Sequence, residues 1–96
     1  MVYVDDFRIP ARVGNIWAQW SHLQADTEGE LHEFAAMLGL KRSWYQTSRR
    51  PEACHYDVTD SMRNKAISLG AIAETVREGI LRRRRAREAA KSRKEK

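Results

Sequence analysis

The sequence has little of what builds covalent or metal-bound frameworks, and it has no long apolar run. Only one of its 96 residues is a cysteine, Cys54, which excludes an internal disulfide or a multi-thiolate metal site. We expect Cys54 to be a small buried or half-buried side chain. No stretch approaches the roughly 18 consecutive apolar residues of a membrane-spanning helix. The N-terminal residues lack a basic segment followed by an apolar one, which predicts no secretory signal and, by default, a cytoplasmic protein.

Several familiar functional motifs are absent as well. We find no glycine-rich phosphate loop, nucleophile elbow, zinc finger or dinucleotide-binding fingerprint. A chain this short has room for one domain with a thin core, which buries about 60 to 65% of the surface that the unfolded chain exposes. Any chemistry must therefore depend on polar side chains that the fold brings together.

Charge is distributed unevenly along the chain. Residues 1–76 contain eight basic and ten acidic residues, a balance of −2, whereas residues 77–96 contain ten basic and three acidic residues, a balance of +7. The second segment is rich in residues that favour helices, but its large apolar residues are too few to bury a face for long. We therefore predict a small α/β domain over residues 1–76 and a basic tail, helical or disordered, over residues 77–96.

The apolar pattern of the first segment predicts β-α-β units. Thr27 and Glu30 have the spacing of a helix capping box, and Thr59 can cap a second helix. β-Branched and aromatic residues dominate short segments around the two helices, which is typical of strands. Such alternation predicts a two-layer or three-layer fold with an at least partly parallel sheet. Predicted strands lie near residues 2–5, 19–25, 43–47 and 71–76, predicted helices lie near residues 28–38 and 60–69, and a basic C-terminal helix follows.

Two polar segments are the best candidates for a catalytic site. The period of two along a strand puts His22 and Asp26 on one side of the second strand, and it puts His55 and Asp57 on one side of their own segment. Each pair combines an imidazole with a carboxylate, which suits acid–base work on a phosphate or sugar ligand. A structural hydrogen bond is the more common role of such pairs. The place of Asp26 before the first helix also favours a structural role in the helix cap.

Two further carboxylates are candidate metal ligands. Asp5 and Asp6 end the first predicted strand, at the edge of the sheet where ligands collect in open α/β folds. If the two histidine segments meet these carboxylates, the cluster could hold a divalent cation, although no spacing matches a defined metal motif. The identity of the metal stays open.

A third group of candidates combines aromatic rings with guanidinium groups. Trp44, Gln46 and Arg49 lie in or just after the third predicted strand, and this mixture suits nucleotides, phosphates and single-stranded nucleic acids. A tryptophan at the end of a short strand also commonly packs into the core. We treat the three residues as candidate ligand-binding residues with a structural alternative.

The basic tail is a candidate binding element for nucleic acid or for an acidic protein surface. Dense positive charge attracts polyanions with a steep dependence on salt, but charge runs are as often merely solvated. Membrane-surface binding is less favoured because a matching apolar face is missing. The candidate nucleic-acid-binding residues are Arg82, Arg83, Arg84, Arg85 and Arg87, and Lys91, Arg93, Lys94 and Lys96 extend the run.

An ordered series of short motifs resembles a known family. It consists of YVDD at residues 3–6, WSHLQAD at 20–26, ELH at 30–32 and HYDVT at 55–59, and it is similar to small bacterial and phage proteins known only as a domain of unknown function. The resemblance covers roughly residues 1–76 and implies no established activity. The tail lies outside it, with room for a separate role, for instance in phage biology. The resemblance implies that Asp5, Asp6, His22, Asp26, His32, His55, Asp57 and Arg63 occupy motif positions, which adds Arg63 to the candidate ligand-binding residues.

Three functional interpretations remain open from the sequence. The favoured one is a domain that binds or processes a phosphorylated or nucleotide-like compound at the histidine and aspartate residues, with or without catalysis. The second is a non-enzymatic module that binds nucleic acid or a protein through the basic tail. The third is an oligomeric structural or interaction protein, because a core this small is commonly completed by a second copy.

Overall fold

Five strands form one mixed sheet with helices on both of its faces, in a computed structural model that describes residues 1–94. Lys96 of the predicted tail lies outside these residues. Single 3-10 turns occur at Arg42–Trp44 and Pro51–Ala53. In chain order the strands and helices are β1 (Val2–Val4), β2 (Ile9–Val13), β3 (Ile16–Ala25), α1 (Glu28–Leu38), β4 (Tyr56–Thr59), α2 (Asp60–Ser68), β5 (Ile72–Ala73) and α3 (Val76–Lys94).

The long strand β3 organises the sheet. Trp20 pairs with Ile9 of β2 and with Thr59 of β4, so these two strands lie on opposite edges of β3. β1 follows β2 along the same edge, and β1, β2 and β4 are all antiparallel to β3. β5 runs parallel to β1. β4 and β5 therefore point the same way and are joined by α2, which makes β4–α2–β5 a β-α-β unit of the predicted kind.

The core lies between the sheet and the two shorter helices. Leu23 of β3 and Tyr56 of β4 are almost fully buried there, together with Phe34 and Leu38 of α1. The alternate residues of β3, which include Gln24, lie on the opposite face of the sheet. α3 lies on that face, because Arg82 and Arg83 both donate to the side chain of Gln24. The α/β prediction is confirmed in its three-layer form.

The two predicted helices begin and end where their capping residues indicate. The hydroxyl oxygen of Thr27 accepts a hydrogen bond from the backbone N–H of Glu30 at 3.2 Å, and Gly39 ends α1 with φ of 82°, the left-handed conformation that suits glycine. The hydroxyl oxygen of Thr59 accepts from the N–H of Met62 at the start of α2. These contacts confirm both helices.

The strand predicted over residues 43–47 is wrong. Arg42–Trp44 forms a 3-10 turn, and only Gln46 pairs with another segment, through a single bridge to His55. The exposed ring of Trp44 and the neighbouring cations stay at the surface, where Lys41 lies over the indole. Aromatic composition alone therefore does not form a strand here, because no alternation of buried and exposed residues accompanies it.

The strand predicted over residues 71–76 is too long. β5 contains only Ile72 and Ala73, and α3 begins at Val76. The N–H of Glu78 donates to the hydroxyl of Thr75, whose own N–H donates to the Glu78 carboxylate, so this segment forms a second capping box. The cap starts a helix where the β-branched residues had indicated a strand.

A hairpin accounts for the part of the sheet that the sequence interpretation missed. β2 and β3 are joined by Gly14 and Asn15, and Gly14 has φ of 61°, as a tight two-residue turn requires. This hairpin extends β3 back to Ile16 and leaves Ile16 and Trp17 exposed. Within residues 1–94, none of the helices combines the length and apolar composition needed to cross a bilayer.

Candidate metal centre

The sheet face beneath α3 holds a hydrogen-bonded pair formed by Asp5, which is buried, and His22, which is about a third exposed. Asp5 follows β1, and His22 lies in β3. One carboxylate oxygen of Asp5 accepts from the backbone N–H groups of His22 and Phe7, and the other lies 2.7 Å from Nδ1 of the His22 ring. Burial would raise the pKa of Asp5, but the hydrogen bonds from His22 and Phe7 outweigh it and hold that pKa below its ordinary value. Asp5 is therefore ionised, and its carboxylate favours a hydrogen on Nδ1 of His22, which leaves Nε2 as the lone-pair nitrogen of the neutral ring.

A second histidine is oriented in the same way by a different acceptor. Nδ1 of His55 lies 3.0 Å from the backbone carbonyl oxygen of Ala53, to which it donates. Nε2 of His55 lies 3.3 Å from Oδ1 of Asp57, and the other oxygen of Asp57 accepts from the Gln46 amide. Burial lowers the pKa of His55, whereas the hydrogen bonds to Asp57 and Ala53 raise it, and the net shift is upward. The hydrogen bond from His55 lowers the pKa of Asp57 against the effect of burial, and Gln46 lowers it further.

The contacts of His55 favour a proton on both of its ring nitrogens. With Nδ1 donating to Ala53, neutral His55 would direct a lone pair at an ionised carboxylate, which is repulsive. A proton on Nε2 removes this repulsion, and so does a metal ion bound by both groups. A metal ion at this position would have to displace that proton.

The two histidines and Asp57 converge on one small volume. His22 lies opposite Asp57 in the pairing of β3 with β4, and the rings of His22 and His55 meet edge to face with centres 4.8 Å apart. One ligand atom from each of His22, His55 and Asp57 lies within 4.8 Å of the others. Atoms bound to one ion at about 2.0 to 2.2 Å in a tetrahedral site lie about 3.3 to 3.6 Å apart. His55 and Asp57 already have this separation, at 3.3 Å, whereas any pair near the 4.8 Å limit would have to move closer. All three side chains are between a fifth and a third exposed, which leaves room for water or a ligand oxygen on the ion.

The remaining candidates for the catalytic and metal site lie apart from this cluster. Asp26 lies beyond the far end of β3, where its carboxylate accepts from the Tyr3 hydroxyl and pairs with the N-terminal amino group of Met1. Asp6 accepts from the backbone N–H of Val76 at the start of α3. Asp5 does contact the cluster, through Nδ1 of the His22 ring. The structure thus brings together His22, His55 and Asp57, with Asp5 as a support.

The candidate ligand-binding residues are dispersed. Gln46 contacts Asp57, and Nε of Arg63 donates to the backbone carbonyl of Asp5 at 2.7 Å, so both brace the cluster. Trp44 lies at the surface, and Arg49 lines an open groove between α3 and the turn at Pro51–Ala53. Neither Trp44 nor Arg49 contacts the cluster in the described part of the chain.

His32 and Cys54 make contacts outside the cluster. His32 bridges the hydroxyl of Tyr56 and the carboxylate of Glu28, at the boundary of the core. Cys54 is half-buried, and its sulfur accepts from the N–H of Ser48. The environment of Cys54 agrees with the expectation of a small half-buried side chain.

The arginines of the predicted tail divide into two groups. Arg82 stacks on Tyr3 and donates two hydrogen bonds to Glu74, and Arg83 donates to Gln24 at 2.7 Å. Arg84 and Arg85 point into solvent. Arg87 is exposed as well, with Glu52 at 3.5 Å.

Sequence reasoning missed two contributors to the cluster, the Ala53 carbonyl and the Phe7 ring. The Ala53 carbonyl leaves no sequence signal, because every residue has one. Phe7 stacks on the His22 ring, with ring centres 5.2 Å apart, and it could have been found only from its position next to the predicted Asp5 and Asp6. Arg83, which the sequence predicted as a nucleic-acid-binding residue, donates to Gln24 on the same strand as His22, and that contact was not predicted.

The fold and the cluster define a small three-layer α/β protein with a histidine–carboxylate site on the sheet face beneath its last helix. The chain matches the family described as "Protein of unknown function (DUF4031)" over residues 2–87, and it belongs to that family. The matched region extends beyond the expected limit near residue 76 and takes in Arg82 to Arg87. Comparison with curated proteins and with solved structures gives no match. The bacterial or phage origin implied by the motif resemblance stays a prediction.

Proposed function

We propose that the protein binds a divalent transition-metal ion through His22, His55 and Asp57 and uses it to bind or process a phosphorylated ligand. One observation carries this proposal: the Nδ1 atoms of both histidines donate to fixed acceptors, the Asp5 carboxylate and the Ala53 carbonyl. Nε2 of each ring is then the nitrogen left to bind a metal, after His55 has released the proton that its contacts with Asp57 and Ala53 favour. Metal-binding histidines typically have such outer acceptors, which orient the rings and make them more basic.

The donor set limits the metal. Two imidazoles and one carboxylate suit Zn²⁺, Fe²⁺, Co²⁺ or Mn²⁺, whereas Mg²⁺ and Ca²⁺ prefer sites made entirely of oxygen atoms. Three protein ligands leave coordination positions for water and for a ligand oxygen. An ion in that state lowers the pKa of its water and polarises a phosphoryl group, which are the two requirements for hydrolysis of a phosphate ester.

Titration with Co²⁺ tests the proposal, because its visible absorption reports the geometry of the ligands. We expect the full chain to bind one Co²⁺ and to release it to Zn²⁺. His55→Gln and Asp57→Asn should each weaken Co²⁺ binding by at least about tenfold. His32→Gln is the matched control, since His32 contacts Tyr56 and Glu28 outside the cluster, and it should bind as the wild type does. Equal affinities for the wild type and both folded cluster variants would refute the metal centre.

A second candidate function is binding of nucleic acid by the exposed side of α3. Arg84 and Arg85 are exposed, and within residues 1–94 no carboxylate lies within 4.0 Å of either guanidinium. Such arginines can pair with phosphates without breaking contacts inside the protein. An acidic protein surface would satisfy the same charges.

The experiment for this candidate compares the wild type with the double substitution of Arg84 and Arg85 by Gln. Binding to short single-stranded and double-stranded nucleic acids is measured over a salt series. We expect tight, steeply salt-dependent binding by the wild type and a shallower salt slope for the variant. Substitution is sharper than truncation after Val76, which would also remove the contacts of Arg82 with Tyr3 and Glu74. Binding that is equally weak for both proteins at every salt concentration would argue against the candidate.

A further inference from the structure

Arg83 is a half-buried cation with an incomplete set of partners. Its guanidinium donates to the buried side-chain oxygen of Gln24 at 2.7 Å, and in the described part of the chain no carboxylate lies within 4.0 Å of it. Burial lowers the pKa of Arg83, and the nearby Arg82 lowers it further. A desolvated charge is normally paired with an opposite charge. An anion in contact with this guanidinium would therefore offset the free-energy cost of its burial.

The position of Arg83 connects it to the candidate metal centre. Gln24 and His22 lie two residues apart on the same face of β3, a separation of about 7 Å along the strand. The Asp5 carboxylate that orients His22 is also close enough to Arg83 to oppose the lowering of its pKa. An oxyanion could therefore contact the ion and Arg83 together, and a guanidinium suits a phosphate because it offers two parallel N–H groups.

The other side of His22 is apolar. Trp20 lies two residues before His22 on the same face, and Ile9 pairs with Trp20 across the hairpin. The ring of Phe7 lies at 22° to the His22 ring and is 45% exposed. A flat group joined to a metal-bound phosphate would lie against Phe7 and Trp20, where stacking favours an aromatic ring.

We infer that Arg83 and Phe7 select the ligand of this centre, which is the phosphate ester of a flat aromatic or heteroaromatic group. The inference rests on the proposed metal centre. Arg83 binds the phosphate together with the metal ion, and Phe7 stacks on the ring. The ring can be attached directly to the phosphate or carried by a sugar, as in a nucleotide.

Binding of small phosphate esters to the Co²⁺-loaded full chain tests this inference. The probes are inorganic phosphate, methyl phosphate, phenyl phosphate and uridine 5′-monophosphate, and the readout is the change in Co²⁺ absorption as each probe is added. We expect phenyl phosphate or the nucleotide to bind about tenfold more tightly than methyl phosphate. Whichever of the two binds more tightly identifies the source of the ring.

Substitutions of Phe7 and of Arg83 separate ring stacking from phosphate binding. Phe7→Ala should remove the preference for the aromatic esters, so that phenyl phosphate and the nucleotide bind no more tightly than methyl phosphate does. Arg83→Gln should weaken all four probes by about tenfold, whereas Arg84→Gln, the adjacent exposed position, should weaken none. Arg83→Lys keeps the charge and should recover part of the loss.

The results distinguish failure of this inference from failure of the proposed function. A normal Co²⁺ spectrum with equal affinities for methyl phosphate and both aromatic esters overturns the ligand assignment and leaves the metal centre intact. Phosphate binding that does not change in folded Arg83→Gln overturns the role of Arg83 in the same way. The absence of Co²⁺ binding by the wild type overturns both.

Discussion

The guanidinium carbon of Arg82 lies 3.9 Å from the centre of the Tyr3 ring, so the last helix is stacked directly on the first strand. The same guanidinium donates twice to Glu74, whose side chain is only 8% exposed. This pairing attaches α3 to the sheet face that also carries His22.

Replacing Arg82 by an uncharged residue should destabilise the whole fold. Arg82→Met leaves the Glu74 carboxylate buried without its partner and removes the stacking on Tyr3, for an expected loss of roughly 2 to 4 kcal/mol in the free energy of unfolding. Arg84→Met, on the exposed side of the same helix, should change it by less than about 0.5 kcal/mol. Urea denaturation measures both values. Equal stabilities for the two variants would mean that α3 is not held by Arg82.

The stability of the metal-free protein should fall as the pH rises through the pKa of His55. That pKa is raised above its ordinary value of 6.5, so the contribution of the His55–Asp57 pair is complete below about pH 6.5 and is lost when folded His55 loses its proton. The lowered pKa of Asp57 keeps the carboxylate ionised throughout this range. Unfolding free energies measured from pH 6 to pH 9 should show the decline, and His55→Gln should abolish it. A decline of the same size in His55→Gln would assign it to another group.

Metal affinity should change with pH in the opposite direction. An ion must displace the proton on Nε2 of His55, so binding of Zn²⁺ should strengthen as the pH rises through the raised pKa of this histidine. Calorimetry in buffers of different ionisation enthalpy should detect the released proton. A Zn²⁺ affinity that does not vary between pH 6 and pH 8 would show that the metal does not displace a proton from His55.

The carboxylate of Asp5 should act on the metal through His22. In Asp5→Asn the amide can donate to Nδ1 of His22, which moves the ring hydrogen to Nε2 and removes the lone pair that would bind the ion. We expect a loss of about 10-fold to 100-fold in Co²⁺ affinity, with an altered spectrum. Asp6→Asn is the control, since Asp6 accepts from Val76 at the start of α3. A comparable loss in Asp6→Asn would instead favour direct binding of the metal by Asp6.

The second capping box, formed by Thr75 and Glu78, should stabilise the fold by as much as an ordinary helix cap does. Thr75→Ala removes the acceptor for the N–H of Glu78 and should lower the free energy of unfolding by about 1 kcal/mol. Thr75→Ser keeps the hydroxyl and should restore most of that loss. If urea denaturation shows no difference between the two variants, the cap contributes nothing to stability.

Local rules predicted the helices better than the strands. The caps at Thr27 and Thr59 operate within a few residues, and the structure follows them. Thr75 and Glu78 have the same spacing as Thr27 and Glu30, but the β-branched residues before them favoured a strand. The two-residue turn at Gly14 was also a readable signal, which extends β3 well beyond the predicted residue 19.

The cluster depended on pairing that no local pattern contains. The spacing of two correctly put His55 and Asp57 on one face of their segment, but His22 reaches them only because β3 pairs with β4 in one particular register. Asp26 has the same spacing from Gln24 as His22 does, yet it lies beyond the last paired residues and contacts Tyr3. A strand period therefore identifies faces, whereas the partners across the sheet determine which residues meet.

The four consecutive arginines of α3 also affect which changes of length the protein can tolerate. Each residue turns an α-helix by about 100°, so a deletion between Glu74 and Arg82 rotates every later side chain around the axis. Deletion of one or two residues there would still put an arginine over Tyr3 and another over Gln24, because positions 82 to 85 are identical. An insertion of one residue would put Leu81 over Tyr3 instead. We therefore expect natural length variants of this segment to be shorter rather than longer than this chain.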